Sequence, residues 1–220
     1  GDTNGDGGAS SPAPGDWGYI KINSSNNLQY CTIKYGGKGY YYSGNHSEYY
    51  MLWVNNVQPA ITISNCTFDR AFEKAIYYFD NQYQAMPVVQ DNLIMNSPFG
   101  IYLIGNESTE ANISGNEIIN GNDVGINVHD ISSVIINDNS VTGFGDGISV
   151  INGTAIISGN TLESCGSSIR LDDVNATITG NEILNSSSYP LNHINNVDAS
   201  YSGNTITGSL KPAIGVSGTL

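Results

Sequence analysis

An all-β chain wound into a parallel β-solenoid of about eight coils is the fold this sequence predicts, on three observations. The first is a repeat. ANISGNEIIN (111–120), AIISGNTLES (155–164), ATITGNEILN (176–185) and ASYSGNTITG (199–208) share a glycine–asparagine pair between short apolar runs, with a degraded copy, VIINDNSVTG, at 134–143. The second is the spacing. The apolar residue opening each unit falls at Ile20, Met51, Ile76, Ile101, Ile126, Ile148, Ile169, Leu191 and Ile214, so units take 21–25 residues from Ile76 onward. The third is the pattern. The runs are short, alternate with period two and are rich in β-branched residues, as strands are, and no 3.6-residue stripe appears. Three short strands per unit cannot bury an apolar face alone, so units must stack as coils about 4.8 Å apart.

Taken in chain order, residues 1–17 read as a Gly/Pro/Ser linker, and DTNGDG (2–7) opens like a calcium loop. The bidentate glutamate of an EF-hand would fall at Ala13, which leaves at most weak Ca2+ binding; no cofactor or structural metal is expected. The solenoid is expected over 18–220. Residues 36–50, GGKGYYYSGNHSEYY, interrupt it as a tyrosine-rich insertion. DRAFEKAIYYF (69–79) is the one stretch that could hold a helical turn. A new coil opens at Ile214 without a cap, which suggests a fragment of a larger protein with other domains.

Within each coil the glycine–asparagine pair marks a sharp bend, and the asparagine is expected at positive φ. Stacked asparagines would hydrogen-bond along the axis, in a ladder of Asn92, Asn116, Asn139, Asn160, Asn181 and Asn204. Cys31 and Cys66 align to the same column as small buried residues, and Cys165 falls in a turn.

Composition excludes some functions. The 220 residues are 12% charged and 39% apolar, with a formal net charge of −13, which disfavours nucleic acid and anionic lipid as partners. No apolar run approaches the roughly 20 residues of a membrane span. Three cysteines are too few and too irregular for a disulfide scaffold or a zinc site. Acidity, few lysines and no cofactor motif fit an extracellular or cell-surface protein. Eight N-x-S/T sequons occur, at Asn23, Asn45, Asn65, Asn106, Asn112, Asn152, Asn175 and Asn185, most of them expected by chance in so Asn/Ser/Thr-rich a chain.

The repeated GN-x-I turns and G-I coil openings over 18–216 resemble the right-handed, single-stranded parallel β-helix proteins of the pectate-lyase-like superfamily. The entry GDWGYIKINSSNNLQYCTIKYGG (15–37) is similar to the first coils of β-helix modules in archaeal and bacterial surface proteins. The resemblance implies a ligand cleft on the outer face of the sheet formed by the first strands. It does not choose among lyases, hydrolases, epimerases and non-catalytic modules.

Alternation gives that face two outward columns: Lys21, Leu52, Tyr77, Tyr102, Asn127, Ser149, Arg170 and Asn192, then Asn23, Val54, Phe79, Ile104, His129, Ile151, Asp172 and Ile194. Coils two to four are apolar, to be covered by the 36–50 insertion or to serve as a sugar-stacking platform. Coils five to eight are polar. Arg170 is the only lysine or arginine between Lys74 and Lys211. Arg170, Asp172 and His129 are candidate catalytic residues, and Tyr77, Tyr102, Asn127, Asp173 and Asn192 are candidate carbohydrate contacts. An ordinary surface ion pair is the competing account of Arg170 and Asp172. The carboxylates are too few for a calcium-dependent lyase. The expected partner is a polysaccharide, bound by a surface module; a lyase or hydrolase, or a structural spacer, are the alternatives.

Overall fold

A computed structural model describes residues 7, 8, 10–24, 27–38, 41–43, 46–57, 60–82 and 87–217, with backbone alone for 41–43 and 46–48. They form a right-handed parallel β-solenoid with no helix among them. Each coil carries three strands, and like strands stack coil upon coil.

The first strands are Ile20–Ile22, Tyr50–Asn55, Lys74–Phe79 and Phe99–Ile104, then the leading parts of Val124–Asn137, Asp146–Ser158 and Ser167–Thr179, then Leu191–His193 and Ile214–Val216. They pair in parallel along one unbroken register, Ile20, Leu52, Ile76, Ile101, Ile126, Ile148, Ile169, Leu191, Ile214. The second strands, from Leu28–Gln29 to Asp198–Ser202, share a sheet with the first because three long strands bend from one column into the other. The third strands, from Thr32–Lys34 to Thr205–Thr207, form a separate eight-stranded sheet with one strand per coil. The aliphatic residues of the register point inward and are fully buried from Leu52 through Ile169. Each buries an apolar side chain worth about 1.5–3 kcal/mol, which no single coil could retain without its neighbours.

Two expectations are corrected at the coil level. The stretch 69–79 holds no helical turn, since Lys74–Phe79 is a first strand. The second coil enters register at Leu52 rather than Met51. Met51, Leu52, Trp53 and Val54 are a continuous apolar run, so alternation gave no phase there, and a one-residue slip exchanges inside for outside. Leu52 and Val54 are therefore core residues, and Trp53 and Asn55 take their outward places.

The corners explain the repeated pair. Between second and third strands the left-handed residue is Asn65, Asp91, Gly115, Asp138, Gly159, Gly180 or Gly203, with φ between 54° and 64°. The asparagine that follows has ordinary φ, contrary to the expectation that it would carry the bend. The division of labour is physical: the left-handed residue turns the chain outward, and only the next side chain is aimed inward along the axis. Its amide makes the ladder. Asn92 Nδ2 donates to Asn116 Oδ1 at 2.9 Å, and the same bond recurs from Asn116 to Asn139, Asn139 to Asn160, Asn160 to Asn181 and Asn181 to Asn204. Each oxygen also accepts the backbone N–H of the preceding rung. Cys66 and Cys31 continue the column: Cys66 N–H donates to Asn92 Oδ1 and Cys31 N–H to Cys66 Sγ.

The 36–50 insertion contains an antiparallel hairpin, Tyr41–Ser43 with His46–Glu48. Its tip and side chains, and with them the expected covering of the apolar zone, lie outside the described residues. So do residues 1–6, which include most of the calcium-loop-like stretch.

Candidate functional site

The outer face of the first-strand sheet carries three columns rather than two. The additional one is Tyr50, Lys74, Phe99, Val124, Asp146 and Ser167. Each stands just before a residue that turns inward: Met51, Ala75, Gly100, Gly125, Gly147 or Ser168. Two consecutive inward residues then precede the next outward position, so strict period two misses the column. The turned-in position is tight. A Cβ on Gly125 would lie 2.4 Å from Val141 Cγ1 and 2.7 Å from the Gly147 carbonyl oxygen, which accounts for the G-I openings.

On coils two to four the face is aromatic. Tyr50 stacks on Tyr77 at 5.1 Å and 9°, and Trp53 packs beside Tyr50 with Lys21 Nζ 3.8 Å above its ring centroid. Tyr77 is only 6% exposed beneath this layer, so it supports the platform rather than presenting a ring. Tyr102 is half-buried at the edge of the cluster, against Tyr77, Phe99 and, on the next coil, His129, whose ring lies parallel to it at 5.5 Å. Lys74 Nζ sits 5.3 Å from the Tyr102 centroid and pairs with Glu73 at 2.6 Å, with its side chain 8% exposed.

On coils five to eight the face is polar. Register places Asn127, Ser149, Arg170 and Asn192 in one column and His129, Ile151 and Asp172 in the next. Arg170 donates from Nη1 to Ser149 Oγ at 3.2 Å and lies 3.5 Å from Asp172 through Nη2. Asp172 also accepts from Asn195 Nδ2 at 2.8 Å. His129 and Asp172 stand two coils apart in one column with Ile151 between them, and Arg170 lies in the neighbouring column on the coil of Asp172. Asp173 is at the corner, with φ 55°, and accepts from Asn196 Nδ2, which takes it off the face. Asn192 is half-buried above Arg170. Asn127 is 7% exposed although it points outward, and its Oδ1 is a buried acceptor without a hydrogen-bond partner. Such a group costs about 1–3 kcal/mol unless something donates to it.

Sequence reasoning missed Asp146 and Asp123. Asp146 belongs to the additional column, and its backbone N–H donates to the Asp123 carbonyl at 2.9 Å, so the two residues sit on successive coils. Burial raises the Asp146 carboxyl above its ordinary value of 3.8; Arg170 and a hydrogen bond with Ser167 pull it back, and the Asp123 charge adds to the rise. The signal was legible in D-G-I at 146–148, once the residue before each G-I opening is recognised as outward. Among the described residues no group of three or more His, Cys, Asp or Glu is placed to hold a metal ion.

The imidazoles give a pH prediction. Burial lowers the His129 pKa, an effect Arg170 reinforces and Asp130 opposes, and burial alone lowers that of His193, whose ring bonds the Tyr201 hydroxyl. As pH falls below the ordinary value of 6.5, the unfolded chain takes up these protons before the folded one does, so stability falls with pH. The raised Asp146 has the opposite sign: its folded-state proton uptake precedes that of the unfolded chain as pH falls toward 3.8, which adds stability there. A melting temperature that declines between about pH 7 and 5.5, with a shallower slope in His129→Gln, is the expected result; an unchanged slope would remove His129 from the account.

Residues 14–112 match the family model described as the right handed beta helix region. The match ends in the second strand of the fourth coil, and the later coils repeat the same three-strand geometry. The chain thus has the right-handed parallel β-helix fold, with the family match confined to its first four coils. No protein of curated function and no solved structure matches it.

Proposed function

We propose that this β-helix is an extracellular or cell-surface module that binds polysaccharide along its first-strand face. One observation carries the reading: an aromatic layer of Tyr50, Trp53 and Tyr77 ends in the half-exposed Tyr102 and His129, directly beside a polar zone holding Asn127 and Arg170. A pyranose offers C–H faces to rings and hydroxyls to amides and charged groups, so a surface that changes from aromatic to polar within two coils suits a saccharide chain. Tyr102 would provide the stacking face. Arg170, Asn127 and Asn192 would meet the hydroxyls.

Calorimetry with a panel of neutral, acidic and amino polysaccharides tests this. Tyr102→Ala should weaken binding at least ~10-fold, or about 1.4 kcal/mol. Tyr30→Ala, an 80% exposed tyrosine on a different side of the solenoid, should leave binding unchanged. Equal losses in both variants, or no binding to any polysaccharide, would defeat the reading and leave a structural spacer.

Catalysis is the second reading, favoured by the Asp146 carboxyl, raised by burial, on the same face as Arg170, a combination that general acid–base chemistry can use. In that case Arg170, Asp172 and His129 would flank the reacting bond. Release of new reducing ends or unsaturated uronates, abolished by Asp146→Asn, would establish it.

A further inference from the structure

We propose that the first-strand face selects glycans carrying protonated amines, hexosamine units, over uronates. The inference rests on the glycan-binding reading above and adds the charge of the sugar.

The cations of this face already have partners. Arg170 is engaged by Asp172 and Ser149, Lys74 by Glu73 and the surrounding rings, and Lys21 by Trp53. A uronate would have to displace an intramolecular carboxylate from Arg170 or Lys74 at no gain in charge pairing. It would do so on a protein of formal net charge −13. Like-charge juxtaposition of this kind is what discriminates against a wrong partner.

The acceptors, by contrast, have capacity left. Asp123 is exposed, Asp146 is half-buried on the neighbouring coil, and Asn127 Oδ1 is buried without a donor. Asp146 and Asn127 belong to adjacent columns and adjacent coils, since Val124 pairs with Asp146 and Asn127 with Ser149. The ligand that completes this surface brings donors. Hydroxyls would satisfy Asn127, and an ammonium would in addition offset the paired aspartates and lie favourably against the Tyr102 ring.

The experiment compares four probes by calorimetry at about pH 6 and about 0.15 M salt: a β-1,4-glucosamine hexasaccharide, its fully N-acetylated form, a galacturonate hexasaccharide and a lysine hexamer. The glucosamine oligomer should bind at least ~10-fold tighter than the acetylated one, with no measurable uronate binding. The double variant Asp123→Asn/Asp146→Asn should reduce that preference to below ~3-fold while retaining affinity for the acetylated oligomer. Equal affinity for the acetylated and free-amine sugars overturns the inference and leaves glycan binding standing, as does a uronate that binds as tightly. A lysine hexamer that matches the glucosamine oligomer overturns it too, by showing attraction to cations without recognition of the sugar. Failure of all three sugars overturns both this inference and the binding reading.

Discussion

Replacing Asn160 by alanine is expected to destabilise the protein by about 3–5 kcal/mol. The side chain is fully buried in the middle of the ladder and makes five hydrogen bonds. Its Nδ2 donates to Ile136 O at 2.9 Å, Asn181 Oδ1 at 2.9 Å and, more weakly, Ser158 O at 3.2 Å. Its Oδ1 accepts from the Asn139 backbone N–H at 2.9 Å and from Asn139 Nδ2 at 3.0 Å. Alanine leaves the buried Asn139 backbone N–H and the Ile136 carbonyl without these partners, while Asn139 Nδ2 falls back on Ile113 O and Asn137 O. Asn181 Oδ1 retains one donor, the backbone N–H of residue 160, so the damage falls on the preceding coil. Each orphaned buried group costs about 1–3 kcal/mol.

The same substitution at Asn204 is the internal control. Asn204 is the last rung, only partly buried, and its loss removes the bond to Ile178 O and two acceptor contacts that water can replace. A cost of about 1–2 kcal/mol is expected there. Urea denaturation gives both values from the shift in midpoint at constant slope. A change at Asn160 below about 1 kcal/mol, or one equal to that at Asn204, would mean that apolar stacking alone holds the coils in register.

Why the ladder was legible from sequence and part of the face was not comes down to how far each signal reaches along the chain. Asn92 through Asn204 recur once per coil because each needs the same partner one coil away, so a local repeat reports a three-dimensional contact. The inward register from Ile76 onward was legible for the same reason. At 51–54 four successive apolar residues erased the phase, and the outward residues there became Trp53 and Asn55. Which member of the glycine–asparagine pair takes positive φ was not decided by composition, since both types adopt it; the coils with Asp91–Asn92 and Asp138–Asn139 contain the answer, because there the first residue bends and the second bonds. Asp146, Lys74 and Tyr50 were lost because two consecutive residues turn inward after them. The chemistry of the face thus lies at a break in the periodicity, where pattern reading is weakest. Arg170 with Asp172 was legible because they are two residues apart on one strand. The contact of His129 with Tyr102 required the register between coils, and register was the part of the sequence reading that held there.

Gly153→Ala is expected to be as damaging as loss of the central asparagine, at about 3–5 kcal/mol, although it adds a single methyl group. Gly153 follows Asn152 at the corner between first and second strands of the sixth coil and has φ +136°, a region that residues with a side chain rarely enter. A Cβ there would lie 2.0 Å from the Ile131 carbonyl oxygen and 3.1 Å from its carbon. The obstacle is main chain, and it is held: Ile131 is buried, pairs with Gly153, and sits where the register shifts before Ser133 meets Thr154. Relief requires either rotating residue 153 to negative φ, which breaks that pairing, or lifting the corner of the fifth coil. The second route passes through Asp130 to His129, so the stack on Tyr102 should loosen and the imidazole should titrate closer to its ordinary value as it gains water. Gly180→Ala is the control that separates conformation from collision. Its φ is +64°, and no atom lies within 4 Å of the added Cβ, so only the left-handed backbone term of about 1 kcal/mol should appear, with His129 unaffected. NMR titration of His129 and urea melts of both variants measure the two consequences together. Equal destabilisation by the two alanines would mean that the corner at Gly153 yields freely. A large loss at Gly153 with an unmoved His129 would instead confine the strain to the sixth coil and detach the corner from the site.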